Sequence, residues 1–390
     1  IRMRSARLQR KLLLFFNKNK KNAVTVQQPF DVYLFFTTLL LVLIGITMIF
    51  SSSAILAKEK YGDTYYFLKK EIFFVVLGLI GLFVTKNISY KIYAKFVYPI
   101  LIATFVFMSL SFIPFFSHSA GGASRWIKIL GVSMQPSEVA KLSVIIFVAY
   151  LVGKKGDRIK SFAKGFLPVI SISGVYILLI LAQRDLGSAF VLGSVVFFML
   201  FLSQTRIRYL VFSVIAAAPV LYFLIFSVSF RRQRIMAFLD PWKYKLDYGF
   251  QIIQSFVAFK SGGLLGVGLG ESKQKLFYLP EAHTDFIFSV LGEEFGMVGV
   301  MLVVSLFIFF IFRGLKIAFK TKEPFGMFLA FGITCLIGLQ AFINFGVVMG
   351  ILPTKGLTLP FISYGGSSLI ISLVMVGILL NISTHTHEEM

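Results

Sequence analysis

Ten apolar stretches, each close to the length that crosses a lipid bilayer, dominate this sequence of 390 residues. A transmembrane helix needs about 20 mainly apolar residues. With 57% hydrophobic residues and 46 phenylalanines, the chain has too few polar faces for ten buried helices in a water-soluble protein. The sequence therefore predicts an all-α polytopic membrane protein with ten transmembrane helices, at 32–57, 71–86, 97–116, 137–153, 165–183, 186–204, 207–229, 284–312, 325–351 and 361–381.

Lysine and arginine are unevenly distributed among the connecting segments. More than half of them, 22 of 39, fall in five segments that would share one side of the membrane, namely 1–22, 85–96, 154–164, 205–208 and 313–324. Because short cytoplasmic loops are rich in these residues, we expect both termini to be cytoplasmic. The segment from about 230 to 283, between the seventh and eighth helices, then forms a long extracytoplasmic loop. The predicted organisation is a basic cytoplasmic tail at 1–30, a ten-helix membrane domain at 31–382 and a cytoplasmic tail at 383–390.

The net charge of +22 fits this topology, because basic loops are attracted to anionic lipids. These residues form no stripe with interleaved aromatics, so we expect no nucleic-acid partner. Cys335 is the one cysteine, which excludes an intramolecular disulfide, and the sequence has no Cys/His cluster with metal-ligand spacing. The stretch GVGLG at 266–270 lacks the dinucleotide-binding spacing and is predicted to be loop glycine outside the membrane.

Polar residues at the edge of the predicted membrane form four clusters, all on its outer side. Ionisable groups at such positions are costly and indicate function by default. In the first cluster, Arg125 and Trp126 lie at the interface, while Glu138 and Lys141 are three residues apart and share one helix face. An interfacial tryptophan with a structural ion pair explains this cluster as well as a binding site does.

The second and fourth clusters lie at helix ends. Asp185, in the hairpin between the fifth and sixth helices, is best interpreted as the N-cap of the sixth helix. Before the tenth helix, two prolines interrupt the apolar pattern, and Lys355, Ser363 and Tyr364 supply polar groups there. A broken helix at membrane depth is tolerated only where it is buried in protein or lines a wet cavity.

The third cluster lies in YLPEAHTDFIFSVLGEEFG, residues 278–296. Asp285 falls at the predicted start of the eighth helix, where capping is the structural alternative. Capping needs only one short acid, however, and leaves Glu281, His283 and Glu293 unexplained. A single cavity that opens to the outer leaflet explains all four clusters together.

The chemistry that such a cavity offers is a carboxylate base with cations nearby. The sequence shows no thiol, metal cluster or Ser/His/Asp spacing for the same place. Its position beside the outer leaflet favours a lipid-phosphate-linked substrate. Two functions remain open on these grounds: glycosyl transfer from a lipid-pyrophosphate donor, and movement of such a lipid across the membrane.

The chain resembles the bacterial SEDS family (shape, elongation, division and sporulation) over nearly its whole length after the N-terminal tail. The resemblance is carried by GASRWI, QPSEVAKL, RDLGSA, FLDPW, GVGLGESKQKLFYLPEAHTDFIFSVLGEE and GLTLPFISYGGSS. So long an ordered set of motifs is highly specific. Among family members, LPEAHTDF and KGLTLPFISYGGSS are more similar to the division-type FtsW and SpoVE than to RodA. The resemblance implies a fold similar to the membrane GT-C glycosyltransferases.

The resemblance also implies a peptidoglycan glycosyltransferase that polymerises lipid II at the outer face of the bacterial plasma membrane and releases undecaprenyl pyrophosphate. A class B penicillin-binding protein and other division proteins would be its partners. The family's essential aspartate matches Asp285, which would take the proton of the acceptor sugar's 4-hydroxyl group. Arg184 and Ser188 replace a proline and a threonine of many members, which leaves the role of Asp185 less defined. Arg125 and Trp126 match the family's RW motif, and Lys355 matches the lysine that precedes GLTLP. Gln135, Glu138 and Lys141 match the QPSExxK motif, whose polar residues line the family's cavity.

Further roles follow from this assignment. One of Arg125, Lys141 and Lys355 would offset the charge of the departing pyrophosphate. Glu281 and His283 would shape the mouth of the cavity.

Deeper in the eighth helix, Glu293 and Glu294 would connect helices inside the bundle. No protein metal site is predicted, although a divalent cation that bridges Asp285 and the pyrophosphate is chemically compatible. Two alternative functions remain: a lipid II flippase, whose signature would be paired broken helices in two related halves, and a non-catalytic scaffold of the division machinery. The sequence shows one clear broken segment, at 353–360.

Overall fold

The computed structural model describes residues 29–113, 117–120, 123–129, 132–276 and 279–385, so most of the two predicted cytoplasmic tails lies outside the described residues. Besides its α-helices, the chain has a 3₁₀ turn at Gly156–Lys160 and a π-helical turn at Phe162–Phe166. The helices are α1 (Val32–Tyr61), α2 (Tyr66–Asn87), α3 (Lys91–Lys95), α4 (Val97–Leu110), α5 (Pro136–Lys155), α6 (Leu167–Ala182), α7 (Leu186–Leu202), α8 (Ile207–Phe226), α9 (Ser229–Leu239), α10 (Phe250–Gly262), α11 (Ile287–Lys320), α12 (Pro324–Val348) and α13 (Gly366–Ser383).

Seven helical segments in the described part of the chain are long and apolar enough to cross a membrane: α1, α5, α6 together with the π-helical turn before it (Phe162–Ala182, 21 residues), α8, α11, α12 and α13. The apolar helices α4 and α7 are shorter, with 14 and 17 residues. Helix α2 carries Lys69, Lys70, Glu71 and Lys86. Each of the ten predicted apolar stretches overlaps a different one of the longer helices, and 207–229 also includes the first residue of α9. The mainly helical, multi-pass membrane architecture is therefore confirmed, and the number of ten spans stays a prediction.

Helices dominate because the bilayer core offers no water to hydrogen-bond the backbone, and a helix satisfies its own N–H and C=O groups. Helices α5, α12 and α13 form the centre of the bundle, and most of their side chains are buried. Helix α8 lies at the periphery, where Leu210 is its single buried residue.

Three helices meet at the end of the bundle that is predicted to be cytoplasmic. Asp31 caps α1 by accepting a hydrogen bond from the N–H of Leu34 at 2.9 Å, and it also forms an ion pair with Arg313 of α11 at 2.6 Å. At the end of α13, Ser383 Oγ accepts a hydrogen bond from the N–H of Asp31 at 3.0 Å. These contacts connect the start of α1 to α11 and α13 beside a cavity of about 420 Å³.

A three-stranded antiparallel sheet lies between α4 and α5 and corrects the all-α prediction. Its strands are β1 (Ser117–Ala120), β2 (Ala123–Ile129) and β3 (Val132–Met134), in that spatial order. The predicted third helix extended to residue 116, but α4 ends at Leu110. Strands this short carry little periodic signal, and their β-branched and aromatic residues are also common in membrane helices.

The segment predicted as a loop at about 230–283 is partly helical, because it contains α9 and α10. Helix α10 packs against α11 and buries Ile252, Ile253 and Ala258. The eighth predicted helix, α11, begins at Ile287 instead of residue 284 and continues to Lys320.

Helix α11 is interrupted at Gly296, whose φ of 63° lies in the left-handed region. Residues 263–268 replace the lost helical partners. The N–H groups of Val267 and Gly268 donate to the carbonyls of Glu293 and Glu294 at 3.0 and 3.1 Å. The N–H groups of 297 and 298 donate in turn to the carbonyls of 263 and 264 at 2.9 and 3.2 Å. The GVGLG stretch is loop, as predicted, and its Val267 and Gly268 also complete the backbone of a broken helix.

The break at Gly296 should tolerate no side chain. A Cβ there would lie 2.3 Å from the backbone nitrogen of Gly266, on a residue with positive φ. We expect Gly296→Ala to cost more than about 3 kcal/mol. The loss would appear as a lower apparent melting temperature of the detergent-solubilised protein.

Gly174→Ala is the matched control, because a Cβ at Gly174 of α6 meets no heavy atom within 4 Å. That change should leave stability unchanged or raise it by about 0.5–1 kcal/mol. Equal melting temperatures for the two variants would contradict the close packing of 263–268 against α11.

Candidate active site

A cavity of about 170 Å³ lies at the other end of the bundle, opposite the Asp31–Arg313 pair. Its walls come from β2, the turn between α6 and α7, the end of α8, helix α9 and the irregular segment before α13. Among the described residues, its charged lining consists of five cations and one carboxylate: Arg125, Arg184, Arg231, Arg234, Lys355 and Asp185. An excess of positive charge in a small cavity favours an anionic ligand.

Asp285 lies beside this cavity, in a turn two residues before α11 begins. One oxygen of its carboxylate lies 3.1 Å from the position that a Cβ on Gly356 would occupy, and Gly356 lines the cavity. Asp285 does not cap α11, because Phe286 occupies the N-cap position and makes no capping hydrogen bond. The carboxylate is therefore left available for another role.

The environment of Asp285 favours its neutral form. Its pKa is raised to about 7, first because burial disfavours the charged carboxylate and second because the Glu281 carboxylate is nearby. Arg234 and Arg125 act in the opposite direction, and Asp185 adds a smaller upward effect. A carboxyl group that titrates near neutral pH can accept and release a proton readily, as a general base must.

The cations of the cavity are held by backbone carbonyls and aromatic rings. Arg125 donates to the carbonyl oxygens of Gln183 and Arg184 at 3.4 and 2.5 Å. Lys355 lies over the ring of Phe190 with its Nζ 4.5 Å from the ring centroid, and burial lowers the pKa of its ammonium group. Cations held in place in this way are pre-organised to meet negative charge.

Three lining arginines were not predicted as site residues: Arg184, in the turn between α6 and α7, and two on α9. Arg231 donates to the carbonyl of Leu224 at 2.8 Å, and Arg234 donates to the carbonyl of Thr354 at 3.5 Å. The guanidinium of Arg234 also lies over the ring of Phe230, 4.3 Å from its centroid. Both belong to α9, within the segment that was predicted to be loop. Their spacing of three residues, which places them on one helix face, is the signal that could have identified them.

Asp185 is the N-cap of α7, as predicted. It accepts a hydrogen bond from the N–H of Ser188 at 3.0 Å, so serine in place of threonine still leaves the cap intact. Its second oxygen accepts from Nε2 of Gln135 at 3.0 Å, and the N–H of Gln135 donates to Ser367 Oγ at 3.2 Å. These bonds connect the starts of α5, α7 and α13. A ligand-binding role for Asp185 and Gln135 stays a prediction.

Glu138 and Lys141 form a buried ion pair on α5. Lys141 is 0% exposed and Glu138 is 5% exposed, and Nζ lies 2.8 Å from Oε1. Neither residue lines the cavity. This geometry is that of a structural ion pair. Contact of either residue with a substrate stays a prediction.

Four other predicted residues lie near the turn that carries Asp285. The ring of His283 packs against Tyr364, with centroids 5.8 Å apart, and both pack against Phe67 of α2. Glu281 is exposed, with a positive φ of 59°, and Ser363 accepts from the N–H of Leu359 at 2.8 Å. Trp126 lies on β2 beside Arg125, half-buried.

Glu294 connects helices, as predicted. It accepts a hydrogen bond from Ser51 of α1 at 2.5 Å and forms an ion pair with Lys275 at 2.8 Å. Glu293 accepts hydrogen bonds from Ser272 and from the N–H groups of 273 and 274, so it holds the segment after α10 instead of a second helix.

Among the residues that the structure describes, no three His, Cys, Asp or Glu side chains lie close enough together to hold a metal ion. Mg²⁺ is often held by one or two carboxylates together with substrate phosphates. A divalent cation shared by Asp285 and a bound pyrophosphate stays a prediction.

Comparison with known proteins gives one consistent result. The profile of the family described as cell cycle protein, FtsW/RodA/SpoVE, matches residues 31–388. The chain is 46% identical to the probable peptidoglycan glycosyltransferase FtsW of Geobacter metallireducens, over 94% of this chain and 98% of that protein. It is 40% identical to the stage V sporulation protein E of Bacillus subtilis, over 91% of this chain and 97% of that protein.

Solved structures share the fold. A chain in a structure described as a peptidoglycan synthase complex that coordinates polymerization and crosslinking aligns with a TM-score of 0.76 and 28% identity, covering 92% of this chain and 99% of that chain. A variant of the Thermus thermophilus rod shape determining protein RodA aligns with a TM-score of 0.69 and 25% identity, covering 92% of this chain and 99% of that one. The greater identity to FtsW than to RodA agrees with the division-type resemblance of the motifs.

The buried pair on α5 yields a stability test. Lys141→Met leaves the Glu138 carboxylate unpaired inside the bundle and should cost about 3–5 kcal/mol. The double change Glu138→Gln with Lys141→Met removes both charges and should recover most of the lost stability. Apparent melting temperatures in detergent measure both effects. A double variant as unstable as Lys141→Met alone would mean that the two side chains do not stabilise the bundle as a pair.

Proposed function

The chain belongs to the FtsW/RodA/SpoVE family, and from that premise we propose how it builds peptidoglycan. Relatives 46–48% identical over 92–94% of its length are named probable peptidoglycan glycosyltransferases, and we assign the same activity to this chain. The substrate is lipid II, polymerised during cell division with undecaprenyl pyrophosphate as the leaving group. The observation that carries this proposal is Asp285, a partly buried carboxylate that titrates near neutral pH beside a cavity rich in cations.

Asp285 acts as the general base. Its ionised carboxylate accepts the proton of the acceptor sugar's 4-hydroxyl group as that oxygen attacks the anomeric carbon of the lipid-linked donor. The bond from that carbon to the pyrophosphate oxygen breaks, and attack from the opposite face inverts the configuration. A pKa near 7 balances the fraction of ionised base against its strength as a proton acceptor.

The cavity cations stabilise the leaving group. Negative charge grows on the pyrophosphate as its bond to the sugar breaks, and fixed cations in a poorly solvated site stabilise that charge strongly. Of the five cations that line the cavity, Arg125, Arg234 and Lys355 are the candidates, and the first two also act on the charge of Asp285. Lys141 is fully buried against Glu138, so the cavity offers better candidates than Lys141.

The proposed placement puts ten spans in the bacterial plasma membrane, with both termini cytoplasmic and the cavity at the outer face. The distribution of lysine and arginine supports this orientation. The contacts among Asp31, Arg313 and Ser383 support it too, because they bring together residues that the topology assigns to the same side.

A class B penicillin-binding protein is the proposed partner. The aligned structure of a peptidoglycan synthase complex, described as coordinating polymerization and crosslinking, supports a partner that crosslinks the strands this chain polymerises. Other division proteins would complete the assembly.

A lipid II flippase is the second candidate. Interrupted helices are the feature that favours it, because α11 breaks at Gly296 and irregular backbone precedes α13. A transporter needs no general base, however, and a scaffold needs neither base nor cations. Activity measured in detergent separates these functions, because detergent micelles have no second leaflet.

Asp285→Asn tests the base directly. The change keeps size and removes the proton acceptor, so polymerisation of lipid II by the purified protein with its partner should fall by about 10²–10⁴-fold. Asp247→Asn, at an exposed acid of the same outer segment, is the matched control and should keep full activity. Near-normal glycan synthesis by Asp285→Asn would overturn the mechanism and favour the scaffold.

Arg234→Gln tests the leaving-group role. If Arg234 acts on charge that develops in the transition state, kcat should fall by about 10²-fold or more while lipid II affinity changes little. Arg232→Gln is the control, because Arg232 is exposed on α9 and does not line the cavity. Weaker lipid II binding with unchanged kcat would assign Arg234 to ground-state binding, as a transporter would require.

A further inference from the structure

Asn344 of α12 joins two irregular segments of backbone that surround the proposed base. Its amide nitrogen Nδ2 donates to the carbonyl oxygen of Asp285 at 2.9 Å and to that of Leu357 at 2.8 Å. The first carbonyl belongs to the turn before α11, and the second belongs to the segment before α13. Asn344 is 2% exposed, so both bonds are shielded from water.

Neither segment can hold its own position by helical hydrogen bonds. The turn 281–286 and the segment 351–361 are non-helical, and a buried carbonyl without a partner is costly. An amide NH₂ group supplies two donors from one nitrogen, which few side chains of this size can do. Since both neighbours are acceptors, the nitrogen and not the oxygen must face them, and Oδ1 has no hydrogen-bond partner among the described residues.

The two carbonyls fix groups on either side of the carboxylate. Leu357 follows Gly356, and the side chain of Asp285 lies close against Gly356. Lys355, one residue further back, lines the cavity. One amide therefore sets the distance between the base and the segment that carries a candidate phosphate-binding cation.

We propose that Asn344 is a positioning residue, which acts through the backbone to hold the carboxylate of Asp285 against Gly356 at the cavity wall. This inference rests on the proposed function, because it matters only if Asp285 is the base. Asn344 itself does not line the cavity and touches no reacting atom.

The charges around the carboxylate determine what loosening the bridge would do. Glu281 and His283 belong to the same turn, and Asp185, Arg125 and Arg234 act on the carboxylate from other elements, while Lys355 lines the cavity next to Gly356. Burial is the largest cause of the raised pKa of Asp285. If the turn separates from 351–361, water reaches the carboxylate and its pKa should fall.

Asn344→Leu removes both donors at similar volume. Displacement of a catalytic group by about 1 Å can lower turnover by about 10²-fold, so we expect kcat to fall by that order while KM for lipid II changes little. The midpoint of the pH–rate profile should fall by about one unit or more from its wild-type value. Asn344→Gln keeps two donors and should recover part of the rate and of the pH midpoint.

A second readout does not depend on turnover. Carbodiimide reacts with protonated carboxyl groups, so the pH dependence of its reaction with Asp285, followed by mass spectrometry of the full-length protein, reports the titration directly. Asn344→Leu should shift that curve to lower pH. If Asn344→Leu does not fold, Asn344→Ser replaces it in this experiment, because serine keeps one hydrogen-bond donor. Asn344→Ser should shift the titration curve in the same direction.

Thr334→Val is the matched control, because Thr334 is a buried polar residue of the same helix that donates only to the carbonyl of Ala330. It should leave kcat per folded molecule and the titration of Asp285 unchanged. Loss of folded protein with an unchanged titration curve in Asn344→Leu and Asn344→Ser would make Asn344 merely structural and overturn the proposal. Such a result would leave Asp285 as the base, whereas full activity in Asp285→Asn would remove the proposed function itself.

Discussion

Every backbone N–H and C=O group inside a bilayer needs a partner from the protein, and this constraint explains where the functional groups of the chain lie. Most of the chain meets it with helices. Where α11 breaks at Gly296, residues 263–268 supply the missing partners. Asn344 supplies one partner to the turn before α11 and one to the irregular backbone before α13. The turn before α11 and the irregular backbone before α13 carry Asp285 and Lys355, whereas Arg231 and Arg234 line the cavity from helix α9.

The distribution of charge around the cavity makes this site chemically reactive. The cavity collects several cations around few acids, so an anionic substrate is attracted to it. At Asp285 the net effect is opposite: burial and the Glu281 carboxylate raise its pKa by more than Arg234 and Arg125 lower it. One small region therefore combines a carboxyl group that can accept a proton near neutral pH with cations that can stabilise a departing pyrophosphate. General-base glycosyl transfer requires both a proton acceptor and groups that stabilise the leaving group, and here different residues fill these two roles.

The sequence predicted the features that depend on composition and on local patterns. Apolar length revealed the helices, and a short acid in a hairpin revealed the cap at Asp185. The features that escaped prediction depend on contacts between distant segments. A glycine in an apolar stretch gives no sign in the sequence that it breaks a helix, so the role of Gly296 was not predicted. Arg234 was not predicted either, because the segment that contains α9 was interpreted as a loop. The role of Asn344 could not be predicted from the sequence, because the two carbonyls that it binds are 59 and 13 residues away.

The central claim is that Asp285 must lose its proton for glycan synthesis and that it does so near neutral pH. The most direct measurement is the pH dependence of kcat/KM for lipid II polymerisation by the purified protein with its partner. A base with a pKa of about 7 predicts a rate that rises about tenfold per pH unit below that value and levels off above it. The rising limb should disappear from the residual activity of Asp285→Asn. A flat wild-type profile across this range, or the same limb in that variant, would contradict the assignment of Asp285 as the base.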